Sequence, residues 1–117
     1  SSGNQYDELA ELKSSYSDLE SQFDGVKSLY YDNGDTAQVQ KYNDARLELT
    51  KADSAIQNVQ SALDSGKSSN EVDSRIDFAK EKLQNATVAY NNPTTYISEL
   101  FLRDDGGFVV FIACISF

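Results

Sequence analysis

The stretch Tyr42–Leu63, YNDARLELTKADSAIQNVQSAL, decides the fold of this chain. Its apolar residues are separated by three and four positions in strict alternation: Tyr42, Ala45, Leu49, Ala52, Ile56, Val59 and Leu63. An average spacing of about 3.5 residues places these side chains along one stripe of an α-helix, as in helices that pack against other helices. The stretch therefore predicts one helix of a helical bundle.

The same spacing recurs on both sides of this stretch, so the chain carries three apolar seams. The first seam consists of Leu9, Leu12, Tyr16, Leu19, Phe23, Val26 and Tyr30, and the third consists of Val72, Ile76, Ala79, Leu83, Ala86 and Tyr90. The turn sequences Asp32–Asp35 and Ser65–Ser69 separate the segments. Because connections this short join antiparallel neighbours, we predict an all-α, coiled-coil-like antiparallel three-helix bundle.

Residues 1–92 are predicted to form this bundle, with helices at about 5–31, 36–64 and 69–91. Gly34 is free to adopt the positive φ of a turn. Asp35 with Gln38 and Ser68 with Glu71 have the spacing of capping boxes. Residues 93–117 are predicted to form a second unit, a C-terminal apolar segment that is expected to be a helix or a β-hairpin and to pack on the bundle or on a partner.

Small and large seam residues predict how the helices approach each other. Alanines on the second and third seams allow close approach of the helix axes, whereas Tyr16, Phe23 and Tyr30 of the first seam fill the remaining space. Gly25 marks either a close helix contact or a bend, and its position beside Val26 favours the close contact.

The character of the chain changes at Asn91-Asn92-Pro93, where proline predicts the end of the third helix. The last ten residues, 108–117, read FVVFIACISF and carry no charge. They are too few to span a bilayer as a helix. Three interpretations remain open: a fourth element packed along the bundle, a strand paired with itself or a partner, or the start of a longer or membrane-contacting tail.

Composition argues against catalysis and against nucleic-acid binding. The chain has 117 residues, no histidine, and 10 basic against 19 acidic residues, for a net charge of −9. Nucleic acids and anionic membrane surfaces are bound through clustered Lys and Arg. General acid–base catalysis and zinc sites commonly use histidine. Cys114, the one cysteine, lies in an apolar run. We therefore predict no enzyme activity, no cofactor and no metal site.

Tyrosine is enriched, with seven in the chain. Because neighbouring helices alternate in direction, Tyr30, Tyr42 and Tyr90 are expected at one end of the bundle, with Tyr31 and Tyr96 near them. Such a cluster either closes the bundle end or forms a partner-binding surface. The candidate partner-binding residues are Tyr31, Tyr96, Phe101, Phe108, Phe111 and Phe117.

In periodicity and composition, residues 5–90 resemble small three-helix modules of bacterial surface and envelope proteins. The resemblance implies a protein of the cell envelope or outside the cell. The polar lead Ser1–Gln5 would suit residues that follow a lipidated cysteine, or residues left by a recombinant vector. The expected function is non-enzymatic binding of another protein. The alternatives are a structural protein that assembles as a homo-oligomer through its apolar C-terminal segment, and a small membrane-acting or immunity-type protein.

Overall fold

A computed structural model of the chain describes the backbone of residues 2–104 and the side chains of residues 3–92. It contains three helices: α1 (Ser2–Asn33), α2 (Thr36–Asp64) and α3 (Ser69–Asp104). The helices pack against one another, and no strand occurs between residues 2 and 104. The predicted all-α three-helix bundle is confirmed.

Contacts between the helices show their directions. Lys13, in the first half of α1, donates to Gln60 near the end of α2 at 2.7 Å. Gln5, in the first turns of α1, donates to Asp73 near the start of α3 at 2.8 Å. Thus α2 runs antiparallel to α1, while α3 runs parallel to α1 and antiparallel to α2.

The core combines small side chains of α2 and α3 with large side chains of α1. Ala62 on α2 and Ala79 and Ala86 on α3 have no exposed surface. The buried side chains of α1 include Leu9, Leu12, Leu19, Phe23 and Tyr30. Small residues let two helix backbones come close, and large residues fill the wider space on the third side. This division matches the predicted one.

Some seam positions differ from the prediction in their burial. Tyr16, Val26, Leu63 and Tyr90 are only partly buried at the edge of the core. Conversely, α2 buries Ala55 and Ala62, which lie outside its predicted seam. A helix that contacts two neighbours buries a wider stripe than a two-helix seam, so the buried face of α2 extends beyond the strict repeat.

Asp35 and Ser68, the two predicted N-cap residues, each cap the start of a helix. Asp35 accepts a hydrogen bond from the backbone of Gln38 at 2.9 Å, and the Gln38 side chain accepts one from the Asp35 backbone at 2.8 Å. This capping box is confirmed. Ser68 accepts from the Glu71 backbone at 3.1 Å, but the Glu71 carboxylate pairs with Arg75 at 3.2 Å. Ser68 caps α3, and its predicted box is half formed.

The two interhelical turns use glycine for different reasons. The prediction of positive φ at Gly34 is wrong. Among the described glycines, positive φ occurs at Gly66, where φ is 69°. A Cβ atom at position 34 would lie 2.6 Å from the Tyr30 carbonyl oxygen, so the first turn needs glycine for space. At the second turn, the Lys67 N–H donates to the Ala62 carbonyl at 2.9 Å and closes α2 around the left-handed Gly66.

Two predicted helix ends are wrong. The third helix does not stop at Asn91-Asn92-Pro93 but continues to Asp104. Proline's fixed φ of about −65° is itself a helical value, so the backbone can pass through it at the loss of one hydrogen bond. The first helix begins at Ser2 rather than near residue 5. Its first turns are held by Gln5, which is buried against α3 and donates to Ser69 as well as Asp73.

The predicted close helix contact at Gly25 is also wrong. Apart from the neighbouring backbone of α1 itself, no atom lies within 4 Å of the position that a Cβ atom would occupy, and the residue is exposed on α1. Glycine at position 25 therefore makes no packing contact that offsets its cost, which is the backbone entropy lost when a flexible residue is fixed in a helix.

Substitution of the two contrasting glycines tests these assignments. Gly25→Ala should raise the free energy of unfolding by about 0.5–1 kcal/mol, because alanine favours the helix and meets no neighbour. Gly66→Ala should lower it by about 1–2 kcal/mol, because a Cβ is strained at left-handed φ. Urea denaturation followed by circular dichroism measures both. Destabilisation by Gly25→Ala would show that a close contact exists after all.

Candidate functional site

Five aromatic side chains gather where α1 passes into α2, and we call Phe23, Tyr30, Tyr31, Tyr42 and Tyr90 the tyrosine-rich end. The ring centroids are 5.9 Å apart for Phe23 and Tyr42, 5.1 Å for Phe23 and Tyr90, 5.1 Å for Tyr30 and Tyr42, and 6.0 Å for Tyr31 and Tyr42. The predicted gathering of Tyr30, Tyr42 and Tyr90 is confirmed by these contacts. Aromatic pairs at such separations attract one another beyond the area they bury.

Tyr42 lies at the centre of the tyrosine-rich end and is buried. Its hydroxyl donates to the Phe23 carbonyl at 2.9 Å and accepts from Arg46 at 3.2 Å. Arg46 in turn pairs with Asp24 of α1 at 2.9 Å. Burial raises the pKa of Tyr42, although the hydrogen bond from Arg46 acts in the opposite direction. Tyr42 is therefore a protonated structural residue that ties α1 to α2.

Tyr31 differs from its neighbours because 49% of its surface is exposed. Its ring stands edge to face against Tyr42, and its hydroxyl donates to Asn43 of α2 at 2.7 Å. The Lys27 ammonium lies 5.5 Å from the centre of the ring. Three neighbours thus fix the orientation of an aromatic side chain that remains half open to solvent.

Gln38 adds a buried polar group beneath this end. The residue is 4% exposed, and its side-chain oxygen is used in the cap of α2. Its Nε2 has no hydrogen-bond partner among the described residues. Buried donors are nearly always paired in folded proteins. The turn between α1 and α2 therefore holds a buried side-chain donor that makes no hydrogen bond with the described residues.

Of the six candidate partner-binding residues, the structure places Tyr31 at the tyrosine-rich end. Tyr96 and Phe101 lie in the last part of α3, where the backbone is helical and the side chains are outside the described set. Phe108, Phe111 and Phe117 lie outside the described residues altogether. The partner-binding role of all six stays a prediction.

A groove of about 470 Å³ lies between α1 and α2, bordered by Lys13, Tyr16, Asp53 and Gln57. The Tyr16 hydroxyl lies 3.3 Å from the Glu20 carboxylate, to which it donates. Burial, together with the negative charges of Asp53 and Glu20, raises the pKa of Tyr16 to about 12. This tyrosine remains protonated at neutral pH, so it can donate hydrogen bonds but cannot act there as a base.

Reasoning from the seams missed two apolar residues that are more than half exposed. Leu47 on α2 is 55% exposed and Phe78 on α3 is 51% exposed. The Lys82 ammonium lies 5.0 Å from the centre of the Phe78 ring. The signal in the sequence was that both residues are apolar yet fall outside their seams. Phe78 borders a groove on the outer side of the contact between α2 and α3.

Metal chemistry has no visible support in the described part of the chain. Among those residues, no group of three or more His, Cys, Asp or Glu side chains is placed to hold a metal ion.

Comparison with known proteins does not assign the chain to a family. No protein-family model matches the chain, and no similar curated protein or solved structure was found.

The raised pKa of Tyr16 predicts a loss of stability in alkali. The unfolded tyrosine ionises near pH 10.0 and the folded one near 12, so its contribution is complete below pH 10.0 and is lost as the pH rises towards 12. Tyr16→Phe removes the ionisation. The variant should therefore lose less stability than the unmodified chain between about pH 8 and about pH 11, as measured by urea denaturation. Equal losses in the two proteins would contradict the raised pKa.

Proposed function

We propose that the chain is a non-enzymatic binding module that engages another protein through the tyrosine-rich end, with Tyr31 as its main contact residue. The observation that carries this proposal is the placement of Tyr31, which is half-exposed and yet held by Tyr42, Asn43 and Lys27.

A tyrosine held in this way suits an interface. Binding partners lose free energy when they order flexible side chains, at about 0.5–1.5 kcal/mol for each one. Tyr31 is already ordered by its contacts within the bundle, so little ordering remains when a partner packs on its open face. Tyrosine is also among the residue types that most often dominate binding energy at protein interfaces.

The charges around Tyr31 indicate the kind of partner. Asp32 adjoins it in the chain, Asp35 starts α2 nearby, and Asp44 follows the Asn43 that holds its hydroxyl. Lys27 supplies a positive charge beside the ring. The chain as a whole carries 10 basic against 19 acidic residues, for a net charge of −9. Complementary charges at the rim of an interface speed association, so we propose a partner with a basic contact surface.

We also propose that the protein acts in the cell envelope or outside the cell. Support for this comes from the resemblance of residues 5–90 to three-helix modules of bacterial surface and envelope proteins. Within the described residues, no helix combines the length and the apolar character that crossing a membrane requires.

A matched pair of variants tests the proposal. Tyr31→Ser removes the proposed contact, and Tyr6→Ser removes a tyrosine of similar exposure, 46%, from the opposite end of the same helix. A partner captured from the native source should bind Tyr6→Ser as tightly as the unmodified chain. It should bind Tyr31→Ser about tenfold or more weakly, because central interface tyrosines carry about 2 kcal/mol or more. Affinities are measured by isothermal titration calorimetry.

Circular dichroism provides the control for folding, because Tyr31→Ser also removes a contact with Tyr42. Both variants should keep the helical spectrum and the cooperative unfolding of the bundle. Equal binding of the partner by Tyr31→Ser and the unmodified chain would show that the tyrosine-rich end is not the binding surface.

A further inference from the structure

We propose that the groove between α2 and α3 that is bordered by Phe78 binds an acidic amphipathic helix of a partner protein. We call this the Phe78 groove, and its lining includes Lys51, Ser54, Ala55, Asn58, Phe78 and Lys82. The proposal does not depend on the partner proposed above, because the Phe78 groove lies on a different pair of helices from the tyrosine-rich end and its occupant has the opposite charge.

Two large apolar side chains supply the anchors for such a helix. Phe78 on α3 is 51% exposed and Leu47 on α2 is 55% exposed. Leu47 precedes Ser54 of the groove by seven positions, which places it on the same side of α2 and about 10 Å along the helix. Apolar residues seven positions apart on an amphipathic helix have the same separation, so one such helix can cover both anchors.

The charge of its lining distinguishes the Phe78 groove from the other two described grooves. The groove between α1 and α2 contains Asp53, and a groove between α1 and α3 contains Glu8 and Glu11. The Phe78 groove contains two lysines and no carboxylate. On a chain with a net charge of −9, this groove is a place of local positive charge. Charge complementarity therefore favours an acidic occupant.

The two lysines lie where the flanks of a seated helix would pass. Lys51 follows Leu47 by four positions on α2, and Lys82 follows Phe78 by four positions on α3. Because α2 and α3 are antiparallel, both lysines lie between the levels of the two apolar anchors, one on each side of the groove. Acidic residues on the two flanks of the partner helix can pair with them, as flanking charges do in coiled coils.

Both ammonium groups can turn towards a partner. Within the described part of the chain, Lys82 forms no salt bridge, and its ammonium lies 5.0 Å from the centre of the Phe78 ring. Lys51 pairs with Glu48 at 3.2 Å, but exposed pairs of this kind contribute little and exchange readily. The aliphatic stems of the lysines can pack against the occupant while their charges stay at its edge.

The size of the groove favours a macromolecular segment over a small ligand. Its volume is about 280 Å³, whereas small-molecule pockets occupy about 300–1,000 Å³ and enclose most of the ligand. A groove between two helices instead accepts a row of side chains from a third helix. The occupant that fits the shape, the anchors and the charges together is an acidic amphipathic helix.

A pair of synthetic peptides provides the probe. Each has about three heptads with leucine at the a and d positions, and the e and g positions carry glutamate in one peptide and lysine in its twin. Like charges at e and g keep each peptide from pairing with itself. Because the net charge of −9 repels an acidic peptide from most of the surface, its binding reports on the lysines of the groove. Fluorescence anisotropy of the labelled peptide measures its affinity for the full chain.

The acidic peptide should bind the unmodified chain, and Phe78→Ser should weaken this binding about tenfold or more, because a buried phenyl ring contributes at least that factor. Tyr6→Ser removes a ring of similar exposure, 46%, from α1 and should leave the affinity unchanged. Circular dichroism verifies that both variants are folded. Absence of binding to the unmodified chain, or equal affinity of folded Phe78→Ser, would overturn the proposal.

Two lysines of α3 test the role of charge. Lys82→Gln and Lys80→Gln each remove one positive charge, but Lys80 lines the groove between α1 and α3. Lys82→Gln should weaken binding of the acidic peptide about threefold, as expected for one exposed ion pair, and Lys80→Gln should not. Equal effects would show that the peptide responds only to the net charge. Binding of the basic twin that is lost in Phe78→Ser would show that the assigned charge of the partner is wrong.

Sedimentation velocity distinguishes a partner protein from a second copy of this chain. The unmodified chain and Phe78→Ser should sediment alike over the same range of concentrations, because the Phe78 groove is reserved for another protein. Self-association of the unmodified chain that Phe78→Ser abolishes would overturn the proposal and identify a second copy as the occupant.

Discussion

Alanine side chains with almost no solvent exposure lie in the core on α2 and α3, the two helices that contact each other most extensively. Ala55 and Ala62 on α2 and Ala79 and Ala86 on α3 are all buried to 2% exposure or less. Methyl groups at these positions let the two helix backbones approach closely, and a closely packed interior has little room for anything larger. The Gly66 turn joins the two helices directly, so α2 and α3 form a tight helical hairpin on which α1 packs.

The rest of the molecule follows from this hairpin. Because α2 and α3 are close, α1 must close a wider side of the bundle, and it does so with large residues that include Phe23 and Tyr30. Where α1 turns into α2, these rings meet Tyr42, and the tyrosine-rich end is the result. On the outer side of the hairpin, small residues such as Ser54 leave the shallow groove that Phe78 borders.

Much of the fold could be predicted from the spacing of apolar residues, because three helical repeats with short connections allow few arrangements. The exceptions have local physical causes. Gly34 is required by the nearness of the Tyr30 carbonyl, which only the packed turn reveals. Pro93 does not end α3, since its φ is compatible with a helix. Gly25 does not lie at a close contact between helices.

The candidate sites were less accessible to prediction than the fold. The gathering of Tyr30 and Tyr42 follows from the direction of the helices. The half-exposed, hydrogen-bonded state of Tyr31 does not, because it depends on the rotation of α1 against α2 and on the position of Asn43. Phe78 has no role in the seam, and the groove beside it is formed by residues of both α2 and α3, so the sequence of one helix does not reveal it.

The most direct test of this account is the free energy of unfolding of Ala79→Leu, measured by urea denaturation beside Ala10→Leu. Ala79 has no exposed surface, whereas Ala10 is exposed on α1. Overfilling a packed contact typically destabilises by about 1–3 kcal/mol, and an exposed helical alanine tolerates leucine within about 0.5 kcal/mol. We expect this difference in the free energy of unfolding between the two variants. Equal stability of Ala79→Leu and Ala10→Leu would contradict the claim that the alanine contact sets the arrangement of the helices.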